Sequence, residues 1–391
     1  MIAVEEARRI VMAHVPVMKP VVRGLADALG GYVASDVIAP NDHPLFDMSA
    51  VDGYAFTYTK EPGPLTIDAT IAAGDTVGSA IERGGCARIF TGAMLPGGTD
   101  TVVMQEFVTV NAGTITHTDQ RLVQGANVRY KAEQLKQGEV VLPKGTWVTP
   151  AAIGLLASIG VREVPVIAAP DVAVLVTGDE FVRGGVLLPG RIFSSNDHMM
   201  DACLRTFGAV PHTTHVADDL GTVVQAIEQA GQDHGVIITT GGASVGDHDL
   251  IHEAVLRVGG TIHFHGVAQK PGKPMLFATV MGKPFFGLPG NPRAVLVLFH
   301  EYVLPFLKAL RGASAPFPVA EHLPLTSEIR VKGERAEFRA ARVQGGAVGS
   351  LADEGSHMLR SLIEANAIVY LPADRRSWQA GDLVEVHYLP R

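Results

Sequence analysis

The chain has 391 residues, 47% hydrophobic and 18% charged, with a formal net charge of −8. That length supports two to four domains at roughly 100–200 residues each, and the mild acidity argues against broad nucleic-acid binding, which needs basic surface. Only Cys86 and Cys203 are present, far apart, so a disulfide framework is not expected and a reducing, cytoplasmic compartment is.

The N-terminus, MIAVEEARRIVMAHV, is charged and amphipathic and lacks the apolar block of a signal peptide. Residues 2–14 and 20–30 read as two short helices divided by Pro16 and Pro20. From 46 to 145 the pattern changes to short β-like runs such as LTIDATI and DTVVMQEFVTV, separated by Gly-rich turns, which predicts an all-β insertion. PAAIGLLASIG (150–160) is a helix, with Pro150 at its start and Gly160 as its stop. From about 165 to 312 strands and helices alternate. Strands are expected at 171–177, 209–216, 235–240, 261–266 and 284–288, and helices at 197–208, 219–231, 249–259 and 291–311. That alternation predicts a parallel sheet covered on both faces, a doubly wound α/β domain. Residues 320–391 return to β-like runs and read as a small separate β-domain. The most apolar stretch, AVLVLFHEYVLPFL (294–307), is broken by His300, Glu301 and Pro305. It is shorter than the ~20 residues of a membrane span, so no membrane association is expected.

In an open α/β sheet, ligands bind beyond the carboxyl ends of the strands. Three polar, bent loops fall there: TGDE (177–180), TTGGASVGDHD (239–249) and LPGNP (288–292). A fourth, KPGKP (270–274), links two segments nearby. Gly241 and Gly242 allow close backbone approach to an anion. Asn291 sits where a helix N-cap belongs, and that helix start adds positive potential. Lys270 and Lys273 supply point charges for an oxyanion. Asp179, Glu180, Asp247 and Asp249 supply oxygen ligands suited to magnesium. Each loop alone reads as an ordinary turn; their coincidence on one sheet edge points to a site. No HExxH, Walker-type loop or GxSxG elbow is present.

Seven or eight motifs, in order along the whole chain, carry a resemblance. They are FDMSAVDGYA (46–55), RIFTGAMLPGGTDTVVMQE (88–106), PAAIGLLASIG, TGDE, TTGGASVGDHD, KPGKP, LPGNP and GSHMLRSLIEANAIVYLP (355–372). On these the chain resembles the MoeA family of molybdopterin molybdenumtransferases, which is similar to the gephyrin E-domain. The resemblance implies a multidomain α/β protein. An elongated helical domain would comprise 1–45 plus 146–165, and an inserted β-domain 46–145. A molybdopterin-binding α/β domain would span 166–315, and a C-terminal β-barrel-like domain 316–391. It also implies a homodimer whose active site lies between the α/β domain of one subunit and the inserted β-domain of the other. The implied reaction takes adenylylated molybdopterin and molybdate, hydrolyses the adenylate, inserts molybdenum and releases AMP, with a divalent cation such as magnesium. An adenylyltransferase is a conceivable docking partner.

By that resemblance Asp52 is a cross-subunit carboxylate joined by Thr91. Glu180 and Asp249 hold the metal and, with Lys270 and Lys273, form the catalytic set. Gly241, Gly242, Ser244, Pro274, Asn291, Arg339 and Ser356 contact substrate. Asp218 matches a family aspartate and reads equally as the N-cap of the helix at 219–231. Asp47 stays open between a site carboxylate and a turn cap.

Several positions depart from the family pattern. Gln134 stands where an aspartate is usual, beside Glu133, and an amide cannot carry its charge. Ser194 replaces another aspartate. Ala340 occupies the place of an arginine, with Arg339 one residue away, and a one-residue shift on a strand changes faces unless a bulge intervenes. Arg293 adds positive charge at a helix start. The losses leave an alternative to the insertase: a non-catalytic paralogue that binds molybdopterin as carrier or scaffold. Molybdate and tungstate are not separable by sequence.

Overall fold

A computed structural model describes residues 1–60, 63–182, 186–187, 189–242, 249–352, 355 and 358–390. The central domain is built on six strands: β1 (Asp171–Thr177), β2 (Val210–Val216), β3 (Val236–Thr240), β4 (Thr261–His265), β5 (Leu276–Val280) and β6 (Lys283–Leu288). Their order is β2-β1-β3-β6-β5-β4. Strands β2, β1, β3 and β6 run parallel, whereas β5 pairs antiparallel with both β6 and β4. The sheet is therefore mixed, a correction to the all-parallel expectation. The sequence reading missed β5 because its hairpin turn is only Met281-Gly282. Both turn residues have positive φ, 51° and 76°, as a tight two-residue hairpin requires.

Both sheet faces are covered, as the βαβ pattern predicts. One face packs Val172, Val174, Ile238 and Phe286 against helices Asn196–Thr206 and Pro292–Leu298. The other packs Leu175, Ile237 and Phe285 against Leu220–Asp233 and Leu250–Arg257. The long helix expected at 291–311 contains a π-helical turn at Phe299–Val303.

The expected helix at 20–30 is largely a strand. Pro20–Gly24 pairs antiparallel with Glu163–Ile167, and only Leu25–Ala28 is helical. The β-branched Val21 and Val22 suit that pairing. With Pro150–Ser158 these segments share one core around Val33, Leu156 and Val166. The N-terminal helix Val4–Ala13 packs elsewhere, burying Val4, Ala7 and Val11 in the central-domain core. The insertion is all-β as expected, a six-stranded sheet that includes Gly53–Phe56, Leu65–Ile71, Gly85–Ile89 and Thr101–Met104.

The C-terminal sheet contains Ala336–Gln344, Ala367–Leu371 and Leu383–Tyr388, and it borrows Gln269–Lys270 from the central domain. A buried charge node fastens this seam. Glu301 is fully buried on the π turn and accepts from Arg8 Nη2 at 2.5 Å. It also bonds His387 Nδ1 at 2.9 Å, while His387 Nε2 faces Glu385 at 2.8 Å. Burial alone would lower the His387 pKa, but the Glu301 and Glu385 carboxylates override it and raise it to about 9. Among the described residues, no helix is long and apolar enough to cross a membrane.

Glu301→Ala strands Arg8 and His387 in a buried site and is expected to cost about 3–5 kcal/mol in urea unfolding. The His387 contribution is complete below its ordinary 6.5 and fades as pH rises through about 9. The wild-type urea midpoint should therefore fall across that interval, and the fall should be shallower in Glu301→Ala.

Candidate active site

Because β1, β3 and β6 are parallel, the loops after Thr177, Thr240 and Leu288 leave one edge together. They touch. The Gly241 amide donates to the Leu288 carbonyl at 3.2 Å. Gly241 has φ +89°, and a Cβ there would lie 2.5 Å from the Thr177 carbonyl oxygen, so only glycine fits. Asn196 Nδ2 donates to the Gly290 carbonyl at 2.8 Å. Around this mouth the hydroxyls of Thr177, Thr239 and Thr240 and the amide oxygen of Asn196 are buried without hydrogen-bond partners among the described residues. Buried polar atoms rarely stay unpaired, so the mouth has the character of a ligand site. Ser244, Asp247 and Ser356 lie outside the described residues.

The KPGKP loop meets LPGNP and the C-terminal domain in a cleft of about 210 Å³. Its lining includes Lys270, Lys273, Pro274, Asn291, Arg335 and Arg339. Asn291 holds the N-cap position but makes no capping bond with its side chain. Glu337 is 3% exposed at the cleft wall. Arg339 clamps its Oε2 from Nε at 2.8 Å and Nη2 at 2.6 Å, and Lys270 Nζ lies 3.7 Å from Oε1. Four cationic side chains and a single carboxylate thus line the cleft, in a chain that is acidic overall. That concentrates positive potential where an anion would sit.

Arg339 reaches the cleft without the bulge or register change that the sequence reading required. The register from Glu337↔Leu371 to Ala341↔Ala367 runs without a shift. Alternation puts Glu337 and Arg339 on the cleft face and leaves Ala340 buried behind it. Arg335 and Glu337 were missed by the sequence reading, although the alternation in EFRAARV carried the signal for Glu337. Arg293 does not add charge to the cleft. It is 1% exposed and bonds Ser361 Oγ at 2.6 Å and the Met358 carbonyl at 3.3 Å.

At the other end of the mouth, Asp179, Glu180 and Asp218 converge. The Asp218 amide donates to Asp179 Oδ1 at 3.3 Å. Burial and the neighbouring Asp179 and Glu180 charges raise the Asp218 pKa. The helix cap belongs to Asp219, which accepts from the Thr222 amide at 2.9 Å, so the N-cap reading of Asp218 is set aside. Asp249 caps its own helix through the His252 amide at 2.9 Å and faces His265 Nε2 at 3.1 Å. It is therefore occupied structurally. Among the described residues, no group of three His, Cys, Asp or Glu side chains is arranged to hold a metal. The Asp179–Glu180–Asp218 pole gathers negative charge at this end of the mouth without forming such a group.

Asp52 and Thr91 lie on the inserted domain and do not line this cleft. Asp52 Oδ1 accepts from both the Thr91 amide and the Thr91 hydroxyl, each at 2.8 Å. Those bonds, with the nearby Arg88 charge, hold its carboxyl below the usual range, so it is ionised at neutral pH. Arg88 sits over the Tyr54 and Phe90 rings at 5.0 and 4.8 Å. Asp47 Oδ1 accepts from the Lys131 amide at 2.7 Å, so it ties a distant turn to its own segment. Glu133 caps the same turn through the Tyr130 amide.

A cationic cleft and a glycine-bent mouth on the carboxyl edge of an α/β sheet define a protein that handles phosphorylated or oxyanionic ligands. Comparison with known proteins narrows this. Residues 2–160 match the MoeA N-terminal region (domain I and II), 173–309 a probable molybdopterin binding domain, and 322–389 the MoeA C-terminal region (domain IV). Molybdopterin molybdenumtransferase of Staphylococcus epidermidis is 33% identical over 98% of this chain and 95% of its own. That of Haemophilus influenzae is 34% identical over 93% and 92%. The crystal structure of a molybdopterin biosynthesis moeA protein from Pyrococcus horikoshii superposes over 100% of both chains, with a TM-score of 0.85 and 26% identity. The chain belongs to the MoeA family, the molybdopterin molybdenumtransferases of molybdenum cofactor biosynthesis.

Arg339→Ala leaves Glu337 buried with only the distant Lys270, and is expected to cost about 3–5 kcal/mol of stability. Adding Glu337→Gln should return part of that loss, because the uncompensated charge is gone. Urea midpoints of the wild type, both single variants and the double variant check this.

Proposed function

We propose that this chain inserts molybdenum from molybdate into adenylylated molybdopterin and releases AMP. The observation that carries the reading is the cleft of Lys270, Lys273, Arg335 and Arg339 beside the glycine-bent mouth. Molybdate is a dianion and the adenylate carries a phosphoanhydride, so bringing them together requires concentrated positive charge. Lys270 and Lys273 act as point charges, and Arg339 presents a guanidinium already oriented by Glu337. Gly241 and Gly242 let the backbone approach the substrate, and the Thr177, Thr239 and Thr240 hydroxyls there have no partner among the described residues. Pro274 and Asn291 shape the cleft wall. Ser244 and Ser356 are proposed substrate contacts from their motifs alone.

Magnesium, when bound with the phosphates, would neutralise charge on the anhydride. Glu180, with Asp179 and Asp218 beside it, would face that cation as the acidic pole of the mouth, through water and the phosphates. Asp249 then serves by fixing the loop end at the start of its helix.

Asp52 completes the site from a second subunit of a homodimer. It is ionised, and Thr91 occupies only Oδ1. A carboxylate in that state orients an attacking water and cannot donate a proton. Hydrolysis of the anhydride then needs alignment more than a protein nucleophile. Gln134 would have to be dispensable, since its amide brings no charge.

The test is AMP release from adenylylated molybdopterin with and without molybdate and magnesium. Molybdate-stimulated release is expected, and Asp52→Ala and Lys270→Ala should each abolish it. Binding without release would overturn the insertase in favour of a carrier. Mixing the two inactive variants, with subunit exchange, should restore about a quarter of wild-type activity, because half the dimers are mixed and each has one intact site. No restoration, or a monomer by light scattering, would refute the shared site.

A further inference from the structure

A second cavity lies on the opposite edge of the sheet from the proposed active site. Its lining includes Pro170 and Ala209, which directly precede β1 and β2, and so marks the amino ends of those strands. The volume is about 240 Å³, below the ~300–1,000 Å³ of drug-sized pockets, so its occupant is small. The walls are aromatic and aliphatic. Tyr32 meets Trp147 edge-on at 4.8 Å, and Phe207, Leu304 and Leu307 close the floor.

Two cations project into this apolar surface, and the lining contains no Asp or Glu. Arg311 is 8% exposed. It donates to the Phe207 and Gly30 carbonyls at 2.5 and 2.6 Å and lies 5.7 Å from the Trp147 ring, and its Nε has no partner among the described residues. Lys308 lies 5.7 Å from the centre of the Phe207 ring and makes no ion pair among the described residues. Burial lowers the pKa of both groups. Withdrawing cations from water with no carboxylate among the described lining residues is costly, and backbone carbonyls and ring faces offset only part of that cost. A more polar groove shares Trp147, Phe207 and Arg311 with it and carries Arg23, Asp27 and Arg205, the last already paired with Asp201 at 2.7 Å.

We propose that this cavity is a binding site for a small organic anion with a flat apolar body, such as an aromatic carboxylate. The apolar body packs against Trp147, Tyr32 and Phe207, and the anionic group meets Lys308 and Arg311. The site is separate from the cationic cleft, with which it shares no lining residue. It does not depend on the insertase reading.

Calorimetric titration of the full-length protein tests this, with 1-naphthoate as probe and 1-naphthalenemethanol as its neutral counterpart. Naphthoate should bind at least about tenfold more tightly, the scale of one charge-assisted hydrogen bond. Lys308→Met should remove that preference, Lys308→Arg should keep most of it, and neither should alter AMP release. Equal binding of both probes, indifference to Lys308→Met, or no binding at millimolar naphthoate would overturn the proposal. Failure to bind combined with dissociation of Lys308→Met to monomers would assign the cavity to a second copy of the chain.

Discussion

The parallel pairing of Gln269–Lys270 with Ala336–Glu337 is the constraint on which the candidate site depends. It threads a strand of the central domain into the C-terminal sheet, so the loop that follows cannot move independently of either domain. That loop carries Lys273 and Pro274, and the pairing sets Lys270 beside Glu337 and Arg339. Without it the cleft would have one wall. The seam is further fixed by Tyr302, whose hydroxyl donates to the buried Gln269 side chain at 2.5 Å, and by Arg335, which donates to the Gln269 carbonyl.

The Glu301 node acts on the same seam from behind. One buried carboxylate draws together the N-terminal helix through Arg8, the π turn of the central domain and the C-terminal strand through His387. Arg8 also lies over the Phe338 and Tyr370 rings, and Tyr370 donates to Glu5. Such buried networks are costly to assemble and costlier to break. Here the arrangement holds the strand bearing Phe338 and Arg339 in register behind the cleft. The electrostatics of the molecule divide accordingly. The chain is acidic as a whole, yet four cationic side chains line the cleft, while Asp179, Glu180 and Asp218 lie at the far side of the mouth. That separation suits a dianionic substrate and a cation-bridged phosphate.

Much of this was legible before any fold was seen. Three loops at one sheet edge follow from strand direction alone, since every parallel strand delivers its carboxyl end to the same side. Glycine at 241 was readable as a close approach, and the structure supplies the obstacle, the Thr177 carbonyl. Local signals failed where long-range contact decided. Pro20–Gly24 has no partner within its own neighbourhood and becomes a strand only because Glu163–Ile167 returns to it. That Asp249 lies 3.1 Å from His265 Nε2, on a strand beyond the helix, is likewise a contact the local sequence does not carry.

Arg339 shows the division most clearly. The residue types needed for an anion site, and the order of the motifs that identify the family, were written in the sequence because they are local and chemical. Which face Arg339 presents was not, because side-chain direction on a strand depends on the register against Ala367–Leu371. The pairing of Lys308 and Arg311 with an aromatic wall from residues 32, 147 and 207 is likewise a product of packing alone. Sequence determined the chemistry available to this protein and the family it belongs to. Tertiary structure decided which charges are neutralised inside the fold and which are left to meet a ligand, because burial and pairing are properties of neighbours that the chain brings together only on folding.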